Sequence, residues 1–183
     1  DGGLIHHVLG TVLMPNGSVD RAVSFVQAYD DYPRVFGPMI QRARVLTHDG
    51  DHYVVSMRTS VKKVITVVMD TTYDVIWTRL DSQHGYSISH STKISEIDSP
   101  GTSSERALDA AHGHGFLWRQ NTYWTYEERG GGLYLQVESV SLTRSIPSGL
   151  DWIIGPYVKS VPRESLEFTL HRVCNALRKP SAP

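Results

Sequence analysis

The chain has 183 residues, 40% of them apolar, with 18 basic and 19 acidic residues for a net charge of −1. That is enough apolar material for one core and too little for two comfortable domains, so residues 1–183 read as a single domain. With no basic face and no run of like charge, nucleic acid is not an expected partner, and no uncharged stretch is long enough for a membrane-spanning helix.

In chain order, Leu4 to Leu13 predicts a first strand, ended by the turn cluster Met14-Pro15-Asn16-Gly17. Ser18 is placed as the N-cap of a short helix carrying Val19, Ala22, Val23 and Val26, with Asp20 in its first turn. Tyr29-Asp30-Asp31-Tyr32-Pro33 breaks this helix, and a second small one around Arg34 to Phe36 ends at Gly37-Pro38. The pattern then changes to period two. Strands are predicted at Ile40 to His48 and at His52 to about Met69, joined by Asp49-Gly50-Asp51, then at Tyr73 to Leu80 and at Gly85 to Ile97. Tyr53, Val55, Met57, Thr59 and Val61 share one face, and so do Tyr86, Ile88, His90, Thr92 and Ile94. Ser99 to Gly115 reads as a polar, mobile insert with a helical turn at Ser104 to Ala111.

The last third is the most explicit part of the chain. Phe116 to Glu128 and Leu133 to Arg144 are rich in aromatic and β-branched residues, and Gly130-Gly131-Gly132 between them supplies the positive φ of a tight hairpin. A two-residue loop at Gly130-Gly131 puts Trp124 opposite Val137, Tyr126 opposite Leu135 and Trp118 opposite Thr143, with Arg119, Tyr123 and Glu138 on the other face; a one-residue slip would move Glu138 to the Trp124 face. After Pro147, Leu150 to Leu177 predicts a long helix whose apolar stripe holds Val158, Leu166, Leu170, Val173 and Leu177. A stripe of that kind is buried against a sheet. The lone cysteine, Cys174, excludes an internal disulfide and sits beside this stripe as a small core residue.

The order strand, two short helices, six strands, long helix predicts an α+β chain with a seven-stranded curved antiparallel sheet wrapped around the C-terminal helix. Together with Ala28-Tyr29-Asp30-Asp31-Tyr32-Pro33, Phe36-Gly37-Pro38 and the block from Leu117-Trp118-Arg119 to Ser165-Leu166, it resembles the helix-grip fold of the START-like superfamily. That superfamily holds lipid-transfer domains, birch-pollen-type allergens and polyketide cyclases. Gly2-Gly3-Leu4-Ile5-His6-His7, Tyr123-Trp124 and Ser145-Ile146-Pro147 are similar to a bacterial branch of it.

The resemblance implies a cavity between sheet and helix for a hydrophobic small molecule, a lipid, sterol or polyketide. The residues expected to line it are Tyr53, Met57, Tyr86, Ile88, His90, Trp118, Trp124, Tyr126, Leu135, Val137, Leu166 and Leu170. Side chains that simply fill the core are the competing expectation. The alternative function is a cyclase or aromatase, with Arg119, Tyr123 or His90 as acid, base or orienting donor. Facing outward, Arg119, Tyr123 and Glu138 would be an ordinary solvated surface, and that orientation is preferred.

No metal or cofactor is expected. His6 and His7 are adjacent on a strand and point to opposite faces, and His112-Gly113-His114 lies in a loop. There is no H-E-x-x-H, no G-x-S-x-G and no G-x-x-x-x-G-K, and Asn16-Gly17-Ser18 is a turn before a helix cap rather than a glycosylation site. The start at Asp1 reads as a processed or trimmed chain; compartment and oligomeric state stay open.

Overall fold

A computed structural model describes residues 2–63, 65–109, 112–144 and 151–178, with the side chains of 151–157 outside the description. Ser145-Ile146-Pro147, a helix start at Leu150 and the tail from Lys179 therefore lie outside the described residues. The elements are β1 (Gly3–Pro15), α1 (Val19–Gln27), a 3₁₀ turn (Tyr29–Asp31), α2 (Tyr32–Phe36), β2 (Ile40–Asp49), β3 (His52–Lys62), β4 (Thr66–Arg79), β5 (His84–Asp98), β6 (Arg106–Ala107), β7 (Arg119–Arg129), β8 (Gly132–Arg144) and α3 (Asp151–Arg178). All strand pairs are antiparallel, in the order β1-β8-β7-β5-β4-β3-β2, with the two-residue β6 added to β5. This is the expected α+β helix-grip architecture: a curved sheet of seven long strands with one long C-terminal helix on its inner face.

Two boundaries differ from the sequence reading. The continuous strand expected from His52 to Met69 is two strands: Lys63 N bonds Ile65 O, the chain turns there, and Tyr53 to Lys62 pairs back on Thr66 to Val75. Thr59, Val61, Val67 and Met69 keep one parity across the turn, so local alternation could not reveal it. The segment after β5 has no helical turn among the described residues but pairs as β6, and Glu105 bonds Arg58 of β3. Ser18 makes no side-chain cap; the carboxylate of Glu128, from β7, accepts the Val19 N–H at 3.2 Å in its place.

The Gly130-Gly131 loop has φ +59° and +77°, the conformation that sets a two-residue hairpin, and the β7–β8 register follows: Tyr123 pairs with Glu138, Trp124 with Val137 and Tyr126 with Leu135. Counting across the sheet from Gly10 and Val137, the inner face carries even residues of β1 and β7 and odd residues of β3, β4 and β8. On that face α3 is seated against β1 at Gly10, where an added Cβ would lie 2.6 Å from Leu170 Cδ1 and 3.1 Å from Leu166 Cδ2. At the far side of the grip, the β3–β4 turn reaches α3 through an ion pair between Lys63 and Glu164. Leu166, Leu170, Val173 and Cys174 are buried, and burial pushes the Cys174 thiol above its ordinary pKa.

Candidate functional site on the inner face of the sheet

One end of the inner face is packed shut. Tyr29, Tyr32 and Phe36, from the 3₁₀ turn and α2, interlock with centroid separations of 5.3 and 4.8 Å, and Tyr29 also meets Tyr53 at 5.3 Å. Trp77 Nε1 donates to Tyr29 Oη at 2.9 Å and Tyr32 Oη donates to the Val26 carbonyl at 2.5 Å, so these phenols enter the core with partners. Burial raises both hydroxyls above the usual tyrosine range. Met14, Val55, Val75, Tyr126, Leu133 and Leu135 complete this core.

The next rungs alternate large and small. Trp77 of β4, Ser87 of β5, Trp124 of β7, Val137 of β8 and Gly10 of β1 lie side by side. Beside them, Tyr126 lies directly over Gly85, where an added Cβ would overlap its hydroxyl. Big rings on β4 and β7 leave β5 between them room for nothing larger than serine or glycine.

Beyond this the face turns polar. One rung reads Val75, Ser89, Thr122, Ser139 and Val8; the following one holds Tyr73, Ser91, Gln120, Ser141 and His6. In the second, Tyr73 Oη donates to Gln120 Oε1 at 2.8 Å, Gln120 N donates to Ser91 Oγ at 2.9 Å, and His6 Nε2 meets Thr143 Oγ1 at 3.0 Å. Burial pushes the Tyr73 phenol up to about 12, so it stays a neutral donor, and burial lowers the His6 imidazole toward its neutral form. Ser89, Thr122 and Ser139 are half-buried.

The far end is held by Glu96. This carboxylate, 7% exposed, accepts the backbone N–H groups of His114, Gly115 and Phe116 at 2.7, 2.8 and 2.9 Å, and His114 Nδ1 lies 3.0 Å away. A single buried acid thus fastens the segment leading into β7. On the outer face Arg58 grips Asp70 with two 2.6 Å bonds and Glu105 with a third, so the expected mobile insert is tied down on both sides of β5.

The residues anticipated for a binding wall divide into three groups. Met57 and Trp124 lie on the inner face and are partly buried, as is Tyr53, which stacks on His48 at 4.1 Å. Tyr126, Leu135, Val137, Leu166 and Leu170 are on the inner face but fully engaged in core packing. Tyr86, Ile88, His90 and Trp118 need correction. Because Ser87 pairs with both Trp77 and Trp124, its neighbours Tyr86 and Ile88 face outward, and His90 meets Tyr123 edge-on at 6.2 Å on that outer side. Trp118 precedes β7, is 38% exposed and packs over Gly3 rather than on the inner wall. Arg119, Tyr123 and Glu138 also belong to the outer face, where Arg119 donates to the Ser91 carbonyl at 3.2 Å and Glu138 meets His7 at 2.7 Å.

The hydroxyl-bearing rungs and Glu96 were not anticipated. Their one sequence signal is the strict alternation Ser87, Ser89, Ser91, which hydrophobicity ranks as the solvent side of a strand. Two surface clefts are also present, about 360 Å³ beside Leu13, Arg129 and Tyr134 and about 320 Å³ between α1 and the Trp77–Tyr126 end; neither lies under the middle of α3. Among the described residues no three His, Cys, Asp or Glu side chains converge as metal ligands, and no helix is long and apolar enough to cross a membrane.

This architecture is that of the START-like and polyketide cyclase-like proteins. It is similar to the TTHA0849 protein of Thermus thermophilus (TM-score 0.68, 11% identity, 97% of this chain and 100% of that one) and to the Zhui aromatase/cyclase of Streptomyces sp. R1128 (0.63, 14%, 95% and 94%). It is also similar to a STAR-related lipid transfer protein of Xanthomonas axonopodis (0.60, 16%, 94% and 86%). At these identities the likeness is one of fold. No family model and no curated protein matches the sequence.

Proposed function

We propose that this protein binds a small, largely apolar molecule on the inner face of the sheet, under α3 and between the aromatic end and the Glu96 end. The observation that carries this is the rung Ser89, Thr122, Ser139: half-buried side chains with no hydrogen-bond partner among the described residues, flanked by the partly buried Trp124, on a face whose one end is packed by the Tyr29, Tyr32 and Phe36 core. Half open to solvent and unpaired among the described residues, these hydroxyls are free to meet a ligand's polar atoms. The similar folds support the reading, since one is by name a STAR-related lipid transfer protein and another an aromatase/cyclase.

A cyclase built on Arg119, Tyr123 and His90 is not supported, because those side chains stand on the opposite face of the sheet. Native mass spectrometry of protein purified without organic solvent tests the binding reading. A co-purifying adduct that organic extraction removes, with a lower melting temperature after its removal, is the expected result. Repeatedly bare protein whose melting point no apolar small molecule raises would overturn it.

A further inference from the structure

We propose that the cleft between α1 and the adjoining ends of β4 and β7 binds a small organic ammonium ion, at a site separate from the space between sheet and α3. At about 320 Å³ the cleft falls in the size range of small-molecule sites. Val23 of α1 and Trp77 of β4 form its apolar wall, and the indole N–H of Trp77 is already spent on Tyr29. The feature that marks a site is Tyr126. This residue is 4% exposed, yet its hydroxyl reaches the cleft and makes no hydrogen bond among the described residues. The other deeply buried phenols, Tyr29, Tyr32 and Tyr73, each have a partner. Gly85 lies directly beneath the Tyr126 ring, where an added Cβ would overlap the hydroxyl, so the backbone makes room for the ring to lie this way.

The charges around that hydroxyl select the ligand class. Arg79, the cation of the cleft, has all three guanidinium nitrogens engaged: one with Asp20 at 2.7 Å and the others with the carbonyls of Asp81 and Ser82, each at 3.1 Å. Asp51, in the β2–β3 turn, is held by the Trp77 N–H, which its carbonyl accepts at 2.9 Å, and its carboxylate has no partner among the described residues. Two acids against one committed cation leave the lining with an excess negative charge. Burial holds the Tyr126 phenol above its ordinary pKa, with Arg79 pulling it down and Asp51, Asp20 and Asp81 pushing it up, so it is an uncharged hydroxyl with lone pairs to offer. An ammonium carries three donors and no acceptor, which suits the Asp51 carboxylate and Tyr126 Oη, while its hydrocarbon part covers Val23 and Trp77. A carboxylate or phosphate would face two acids and a guanidinium already bound on every nitrogen.

The test uses three probes of one shape and different charge, benzylamine, benzyl alcohol and benzoate, each titrated against the full chain at neutral pH by calorimetry and by amide chemical shifts. Benzylamine is expected to bind about tenfold more tightly than benzyl alcohol, with benzoate weakest and the shifts grouped at Val23, Asp51 and Trp77. Asp51→Asn, on the surface, and Tyr126→Phe, which keeps the ring over Gly85, are each expected to remove most of the amine's advantage, whereas Glu167→Gln, which deletes an exposed acid on α3, is expected to leave it unchanged. Circular dichroism checks the folding of each variant, and Asp51→Asn carries the test if Tyr126→Phe does not fold. Equal binding of amine and alcohol, a tighter benzoate, shifts that bypass the cleft, an advantage that survives substitution in a folded variant, or an equal loss in Glu167→Gln would overturn the inference. None of these outcomes bears on the inner-face reading, which extraction and native mass spectrometry test separately.

Discussion

The seat of α3 on β1 is the contact that sets how much room the inner face has, and a double-mutant cycle measures it. Gly10→Ala places a methyl 2.6 Å from Leu170 Cδ1 and 3.1 Å from Leu166 Cδ2, against the roughly 3.5–4.0 Å of ordinary contact, so Leu170 must shift by about 1 Å within a buried cluster. Overpacking of that size costs about 1–3 kcal/mol, offset by about 0.5–1 kcal/mol for removing a glycine from a strand interior, so a net loss of about 1–2 kcal/mol is expected. Leu170→Ala alone empties the same spot and should cost about 3 kcal/mol. In the double variant the methyl added at position 10 enters the space that Leu170 vacated, and the combined loss should fall short of the sum by about 1 kcal/mol or more. Urea unfolding followed by circular dichroism, with the slope against denaturant unchanged across the four proteins, reads all three values. Additivity within about 0.5 kcal/mol would show that Leu170 does not press on Gly10 and that α3 is seated elsewhere.

Ser87→Ala should raise stability by about 1 kcal/mol in ligand-free protein, since it deletes a buried hydroxyl that has no partner among the described residues; a loss in melting temperature would refute that account. Glu96→Gln replaces an acceptor of three backbone N–H groups with an amide that accepts through one oxygen, and should cost about 2–3 kcal/mol while exposing residues 112–118 to limited proteolysis; an unchanged cleavage pattern would count against the latch. The depressed His6 pKa means that the unfolded chain takes up its proton first as pH falls below 6.5, so His6 contributes stability that is present above 6.5 and lost as pH drops through its folded value. His6→Gln should flatten the fall in melting temperature below pH 6.5, and an identical pH profile for the two proteins would contradict this sign.

What could be read from the sequence was whatever local chemistry decides. The β7–β8 register followed from two adjacent glycines, because the loop length they allow fixes every cross-strand partner after them. The stripe from Leu166 to Leu177 identified α3, since one helical face must be covered. Inner and outer sides of β5 came out reversed, and there the deciding contacts are distant in sequence. Tyr86 and Ile88 outrank Ser87 and Ser89 by hydrophobicity, yet Trp77 and Trp124 from β4 and β7 flank position 87 and Tyr126 covers position 85, leaving room only for small side chains. Glu96 was invisible for the same reason: its partners are backbone groups about twenty residues onward, which no side-chain pattern announces.

The irregularity in β5 ties these features together. Tyr73 pairs with Ser91 but the adjacent Thr72 pairs with Lys93, so Thr92 is the extra residue of a bulge, its Oγ1 donating to the Thr72 carbonyl at 3.2 Å. A regular strand would continue the inner parity of Ser87, Ser89 and Ser91 with Lys93 and Ser95, bringing an ammonium under α3 and turning Glu96 to the outside. With one residue inserted, Lys93 and Ser95 face outward beside Thr72 and Asp70, while Ile94 and Glu96 turn inward beside Thr71 and Met69. The same bulge therefore keeps the Lys93 ammonium off the inner face and turns Glu96 into it, where its carboxylate accepts the backbone N–H groups of His114, Gly115 and Phe116 and fastens the segment leading into β7.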